Sequence, residues 1–217
     1  MIGAGALVNY FSARDYYKWD MKHGVIRERG GARVMAFPQE FSIGLVKGLI
    51  EECGEAWPIV LRSCGTFWGK RQMERLEHEL GAFHGARLKG VPTAVVHSAI
   101  AECLAVHGWG RATFDLSEFQ RKVLLVRVGE SPMVKAVLEA KIDTGHNPVD
   151  SLLAGAFAAM FSHATSETIE AKEISCVARG EAVCEFVVGT PARLSALTAL
   201  VRQRAGRTAI LDAIAAE

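Results

Sequence analysis

Cys176 and Cys184 stand at equal distances from Gly180 in the stretch EISCVARGEAVCEFVVG, residues 173–189, with Glu173 just upstream. A turn through RGEA folds this stretch into a hairpin and sets the two thiols opposite each other. Cross-strand partners hold their Cβ atoms about 4.5–5.5 Å apart. That separation suits two packed thiols, a disulfide, or two ligands of one metal. Zinc, with Zn–S bonds of about 2.3 Å in a tetrahedron, places two sulfurs a little under about 4 Å apart, which such a pair can supply. A metal needs further ligands, and Glu173 is the nearest. Positions 173 and 176 point to opposite faces of a straight strand, so a shared site demands a bulge or a strong twist.

The rest of the chain sets the context for that hairpin. Five cysteines are too few for a disulfide scaffold, and their odd number points to a reducing compartment, which disfavours the disulfide. With 217 residues, 50% of them apolar and 23% charged, the chain can build one good-sized core. A net charge of +1 gives no global field for nucleic acid or an anionic membrane. The apolar start MIGAGALVNYF lacks the basic region of a secretory signal, and PVDSLLAGAFAAMFSHA is interrupted by Asp150 and His163, so no membrane span is expected. These features read as a soluble cytoplasmic protein.

The element pattern is mixed. Residues 1–24 read as an irregular N-terminal arm with one helical turn, and VIRERGGARVMAF as two short strands around Gly30 and Gly31. Helices follow at 40–54, at 57–80 with Gly81 after its end, and over TAVVHSAIAECLAVHG. The second half reads strand, strand, a helix opened by Pro148, the hairpin, and one long helix opened by Thr190 and Pro191. This order predicts an α+β fold, an antiparallel sheet packed on helices, with strands 109–128 and 168–188 in a common sheet. Residues 25–205 form one domain on this reading, and 206–217 a tail or short helix. The apolar faces of helices 40–54 and 57–80 exceed what one sheet face covers, so a symmetric homodimer is expected.

Candidate binding residues come from aromatics beside glycines, which let a ligand approach the backbone. CGTFWGKR contributes Phe67 and Trp68, and HGWG contributes His107 and Trp109, with His107 as polar anchor. The structural reading of the same residues is a packed core. His97, on an apolar helix, reads as a core histidine. The small residues of Ala154–Ala159 read as tight packing first and a ligand-bearing helix face second. No GxGxxG, Walker, HExxH or GxSxG pattern is present, and no nucleophile is paired with a base, so the motifs nominate no catalytic residue.

The segment DSLLAGAFAAMFSHATSETIEAKEISCVARGEAVCEFVVG resembles the 4-vinyl reductase domain, whose closing helix is followed by a hairpin with Glu-x-x-Cys, a second Cys and F-x-x-G. RSCGTFWGKR and HGWG look like the 4-vinyl reductase domain proteins of cyanobacterial photosystem II assembly operons. Similar stretches run from about residue 25 to 195. The resemblance implies a fold like that of transport-particle subunits and haem-NO-binding domains, and dimerisation. In phenol-sensing members that belong to bacterial transcription activators, zinc is held by Cys, Glu, Cys and Cys. Glu173, Cys176 and Cys184 match three of those ligands, and Asp150 falls where the fourth, a Cys, is expected. The resemblance thus implies a structural zinc on Asp150, Glu173, Cys176 and Cys184. It further implies a non-enzymatic domain that binds a hydrophobic small molecule, a tetrapyrrole or chlorophyll precursor, in assembly of pigment-protein complexes, peripheral to a membrane through its partners. A vinyl-reductase enzyme or accessory subunit, and a zinc-stabilised sensory or scaffolding domain, are the alternatives.

Overall fold

The computed structural model describes residues 10–85, 92–145, 149–195, 197–203 and 205–215. Residues 1–9 of the expected arm, and Pro148, expected to open a helix, lie outside the described residues. The described part of the arm, from Tyr10, has regular structure. One helical turn, α1 (Ala13–Tyr16), leads into β1 (Tyr17–Asp20), which pairs antiparallel with β2 (Val25–Glu28), and β3 (Arg33–Val34) completes a three-stranded sheet. The physical reason is aromatic burial. Tyr10 packs edge-on against Phe11 and Tyr16, and all three are buried in the main core. Rings of that size each bury roughly 150–250 Å², enough to fix a short segment.

Three helices follow: α2 (Gln39–Cys53), α3 (Trp57–His84) and α4 (Thr93–Val106). Pro58 sits in the first turn of α3, where its missing N–H has no helical partner to lose. Helix α3 runs through Gly81, past the stop expected there, and ends at Gly85 in the left-handed region. Strands β4 (Arg111–Asp115) and β5 (Val123–Gly129) come next, then a helix that the sequence reading omitted, α5 (Pro132–Glu139). Ser131 caps α5 by accepting from the Val134 N–H, and Met133, Val134, Ala136 and Val137 are its buried face. Helix α6 (Ser151–Thr165) precedes the hairpin strands β6 (Glu170–Ser175) and β7 (Cys184–Gly189). The long last helix expected from 190 is instead two short ones, α7 (Pro191–Leu194) and α8 (Leu197–Arg202), and a third, α9 (Arg207–Ala215), lies where a tail or short helix is expected.

Strands β4, β5, β7 and β6 form one antiparallel sheet in that order, as expected from the element pattern. Alternation sends Leu124, Val126, Val128, Phe186 and Val188 into the main core with α3, α4 and α6. Val123, Leu125, Ile174 and Val187 face the other way, where Leu194, Leu197, Val201, Ile210, Leu211 and Ile214 cover them. The C-terminal helices break so that their apolar residues follow that face. Buried Glu185 ties α9 down, accepting from Arg207 Nε at 2.5 Å and from Arg127 Nε at 2.9 Å.

Small residues set the helix layer on the main-core side. A Cβ on Gly65 would overlap the Leu152 carbonyl oxygen, and one on Gly155 would overlap the Arg62 carbonyl oxygen. Gly69 lies similarly close to the backbone of Ala156. The small-residue stretch of α6 is therefore helix packing against α3, with no room for a ligand at that crossing.

Candidate functional site

The β6–β7 hairpin supplies the bulge that a shared site requires. Residue pairs Glu170↔Gly189 and Glu173↔Phe186 keep one register, and Ser175↔Glu185 is shifted by one, so the irregularity falls at Ile174. Before it, Ala171 faces the main core; Ile174 faces the C-terminal helices; after it, Cys176 has returned to the main-core side with Cys184. A one-residue insertion of this kind inverts side-chain direction downstream. The turn itself is one 3-10 turn, Val177–Arg179, closed by Gly180 at φ +87°, a conformation that favours glycine.

The outcome is a buried triad. Ligand atoms of Glu173, Cys176 and Cys184 all lie within 4.8 Å of one another, and the two sulfurs are 3.9 Å apart. None of the three residues is more than 3% exposed. Glu173 Oε2 accepts from the Asp150 backbone N–H at 3.0 Å, while Oε1 is buried without a hydrogen-bond partner. An orphaned carboxylate oxygen beside two thiols is a costly arrangement unless a cation takes it up. Sulfur spacing, donor chemistry and the orphaned oxygen together fit a zinc ion. Without metal, burial and then the charge of Asp150 push Glu173 up to about 8. The hydrogen bond between the thiols, with burial, pushes Cys176 up.

Asp150 stands next to the triad but outside it. Its Oδ1 accepts from the Leu153 N–H at 3.0 Å, capping α6, and its Oδ2 accepts from the Ser131 hydroxyl at 2.5 Å. Burial pushes its carboxyl up to about 6. Thus the aspartate expected as fourth ligand joins the start of α6 to the start of α5, and its contact with the triad is through its backbone N–H.

The four expected ligand-binding residues do not converge. Gly65 and Gly69 are taken up by α6, which turns Phe67 to the opposite side of α3; it is 69% exposed and lies under the Arg71 guanidinium. Trp68 and Trp109 do meet, with ring centroids 5.0 Å apart at the edge of the core. His107 uses both ring nitrogens inside the chain. Nδ1 donates to the Cys103 carbonyl at 2.8 Å and Nε2 to Glu28 at 2.9 Å. Glu28 is buried and also accepts from the Tyr16 hydroxyl at 3.2 Å, with Arg75 Nε 3.7 Å away. Burial pulls His107 down, but the bonds to Cys103 and Glu28 outweigh it and push it up to about 10. Burial likewise opposes ionisation of Glu28, and the His107 bond and Arg75 charge hold it below the usual carboxylate range. This pair fastens the N-terminal sheet to α4.

A different histidine has the surroundings of a binding group. His97 on α4 is 7% exposed and stacks on Phe114 of β4 at 4.7 Å, with Phe161 of α6 edge-on at 5.7 Å. Among the described residues it has no hydrogen-bond partner. Burial holds it below its ordinary pKa, so the imidazole is neutral and one nitrogen is an acceptor. The nearby 340 Å³ cavity is lined by Met73, Glu77, Val96, Ser162 and His163, with Ala164 and Ser166; His97, Phe114 and Phe161 are not among its lining residues. A second cleft, of 410 Å³, is lined by Ile59 and Arg62 of α3, Ser151 and Ala154 of α6, Lys172 and Glu173 of β6, and Thr198 of α8, with others. The sequence reading of His97 as a core histidine agrees with its burial; its two aromatic neighbours come from distant elements.

Comparison with known proteins gives three results. The family model of the 4-vinyl reductase domain matches residues 133–190, which hold α5, α6 and the hairpin. The phenol-responsive sensory domain of the transcription activator PoxR, solved with phenol, is similar over 90% of this chain and 94% of its own, with a TM-score of 0.69 at 19% identity. A vinyl-4-reductase family protein from Methanocaldococcus jannaschii matches with a TM-score of 0.44 at 14% identity, over 85% of this chain and 90% of its own. A trafficking protein particle complex subunit 3 from Naegleria fowleri, covalently bound to palmitic acid, matches with the same score at 12% identity, over 70% and 96%. No match is found among curated proteins. The fold is thus that of the PoxR sensory domain, and its 133–190 portion matches the 4-vinyl reductase domain.

Proposed function

We propose that this chain is a binding module for a small aromatic molecule carrying a hydroxyl, built around His97 and stiffened by zinc on Glu173, Cys176 and Cys184. The carrying observation is the partnerless neutral imidazole between Phe114 and Phe161. Aromatic walls with one polar group are the usual make-up of a small-molecule site. A phenolic O–H donates to the free ring nitrogen, and the aryl ring takes the apolar contacts. Similarity to a phenol-responsive domain supports the same ligand class.

In this role the zinc would hold the turn end of the hairpin, and with it β7, against the core. A tetrapyrrole or chlorophyll precursor, with a role in pigment-protein assembly, is the larger ligand the sequence resemblance implies, and a visible absorption band in freshly purified protein reads it out. Calorimetric titration with phenol tests the main reading. The native chain binds, and His97→Phe, which keeps the ring and removes the acceptor, weakens binding by about tenfold, the value of one hydrogen bond. Equal affinity in the two proteins, or no heat with the native chain, overturns it.

A further inference from the structure

The triad is buried, so an ion must reach it through an opening, and Glu173 is the one member of the triad that lines a described cavity. That cavity is the 410 Å³ cleft at the free edge of β6, between α3 and α6 on one side and α8 on the other. Its walls also carry Glu55, exposed, and Glu170, half-buried, beside the buried Glu173. Two cations are held back by contacts of their own. Arg62 donates to the Ala171 carbonyl at 2.9 Å, and Lys172 donates to the Thr198 hydroxyl and lies 4.0 Å from Glu170. The Lys172–Thr198 bond joins β6 to α8 across the cleft.

We propose that this cleft is the route by which zinc enters and leaves the triad, with the Lys172–Thr198 bond as its gate. The proposal rests on the zinc reading above. On this route Glu55 and Glu170 would offer carboxylate contacts along the cleft and Oε1 of Glu173 a ligand atom, and the two thiols would release their protons to solvent through the same opening. The metal is then exchangeable, and loading is set by the position of α8 on the sheet.

The test is the rate at which a colorimetric chelator in excess removes zinc from the loaded full chain. Ile59→Trp fills the cleft from an exposed wall and slows release by about tenfold, while Thr198→Val opens the gate and speeds it by a similar factor, with zinc per chain at saturation unchanged. Cobalt in place of zinc gives the same order of rates through its thiolate absorption band. Rates equal within about twofold for both variants, on protein that does hold metal, overturn the route and leave the zinc reading standing. A native chain that takes up neither zinc nor cobalt overturns both.

Discussion

Glu173 reaches the same side as Cys176 because Ile174 is an extra residue in β6. Removing a ligand should therefore do more than empty a site. In Cys176→Ser and Cys184→Ser, zinc content should fall below about a tenth of an equivalent, and stability should drop by about 4 kcal/mol when the native chain is compared at zinc a thousandfold above its dissociation constant. Elemental analysis with urea unfolding checks both numbers; full metal content in either variant sinks the assignment. His107 gives a second test at this scale. Its folded pKa of about 10 lies above the ordinary 6.5, so its contribution is complete below 6.5 and is lost as pH rises through 10. Glu28 works in the other sense: its lowered carboxyl contributes above the ordinary 4.5 and loses that contribution as pH falls through its folded value. The native chain should thus lose stability across the alkaline range faster than His107→Gln, which itself costs about 1.5–3 kcal/mol near pH 6 because Glu28 loses a charge-assisted hydrogen bond and keeps only the Tyr16 hydroxyl and the more distant Arg75. Parallel melting-temperature profiles for the two proteins from pH 6 to about 10 would count against the ion pair.

The α3–α6 crossing is the tightest feature at the scale of elements, and it rests on Gly65, Gly69 and Gly155. Gly155→Ala places a methyl on a backbone carbonyl that belongs to a helix interior, so neither side can yield cheaply. Overpacking of this kind costs about 1–3 kcal/mol or more, and chemical denaturation should show it without a change in the slope of the transition. A neutral result would mean that α3 and α6 are not so close in solution. Much of this layout was legible beforehand. The four strands stood out between the helical stretches, and the Cys–Gly–Cys symmetry placed the hairpin turn and even the need for a bulge. Helix α5 was missed although Ser131 and Pro132 mark its start, because eight residues between β5 and α6 give too short a period to read. The N-terminal strand was missed because Tyr17 finds its partners in α1 and α4, which no local pattern announces. Phe67 was misplaced for a related reason: the glycines beside it serve a neighbouring helix, and spacing alone does not say whether a bare backbone faces a ligand or a protein.

At the scale of the molecule, helices cover both faces of the sheet, and among the described residues no helix is long and apolar enough to cross a membrane. Apolar side chains nevertheless remain outside, with Phe37 stacked on Phe41 at 4.2 Å and Leu45 one turn further along α2. A second copy of the chain is the proposed cover, so light scattering at tens of micromolar should return twice the 23.5 kDa chain mass. Phe41→Glu should shift the protein toward monomer, and a monomer mass for the native chain contradicts the self-association. The binding reading has its most direct test in the imidazole itself. Nitrogen-15 NMR of the seven histidines, with the His97 signals assigned by their loss in His97→Phe, follows each ring as phenol is added. The account predicts that the acceptor nitrogen of His97 shifts with phenol and saturates at the calorimetric affinity, while His107 stays in its protonated form throughout. Saturable phenol binding that leaves the His97 signals unmoved would contradict it.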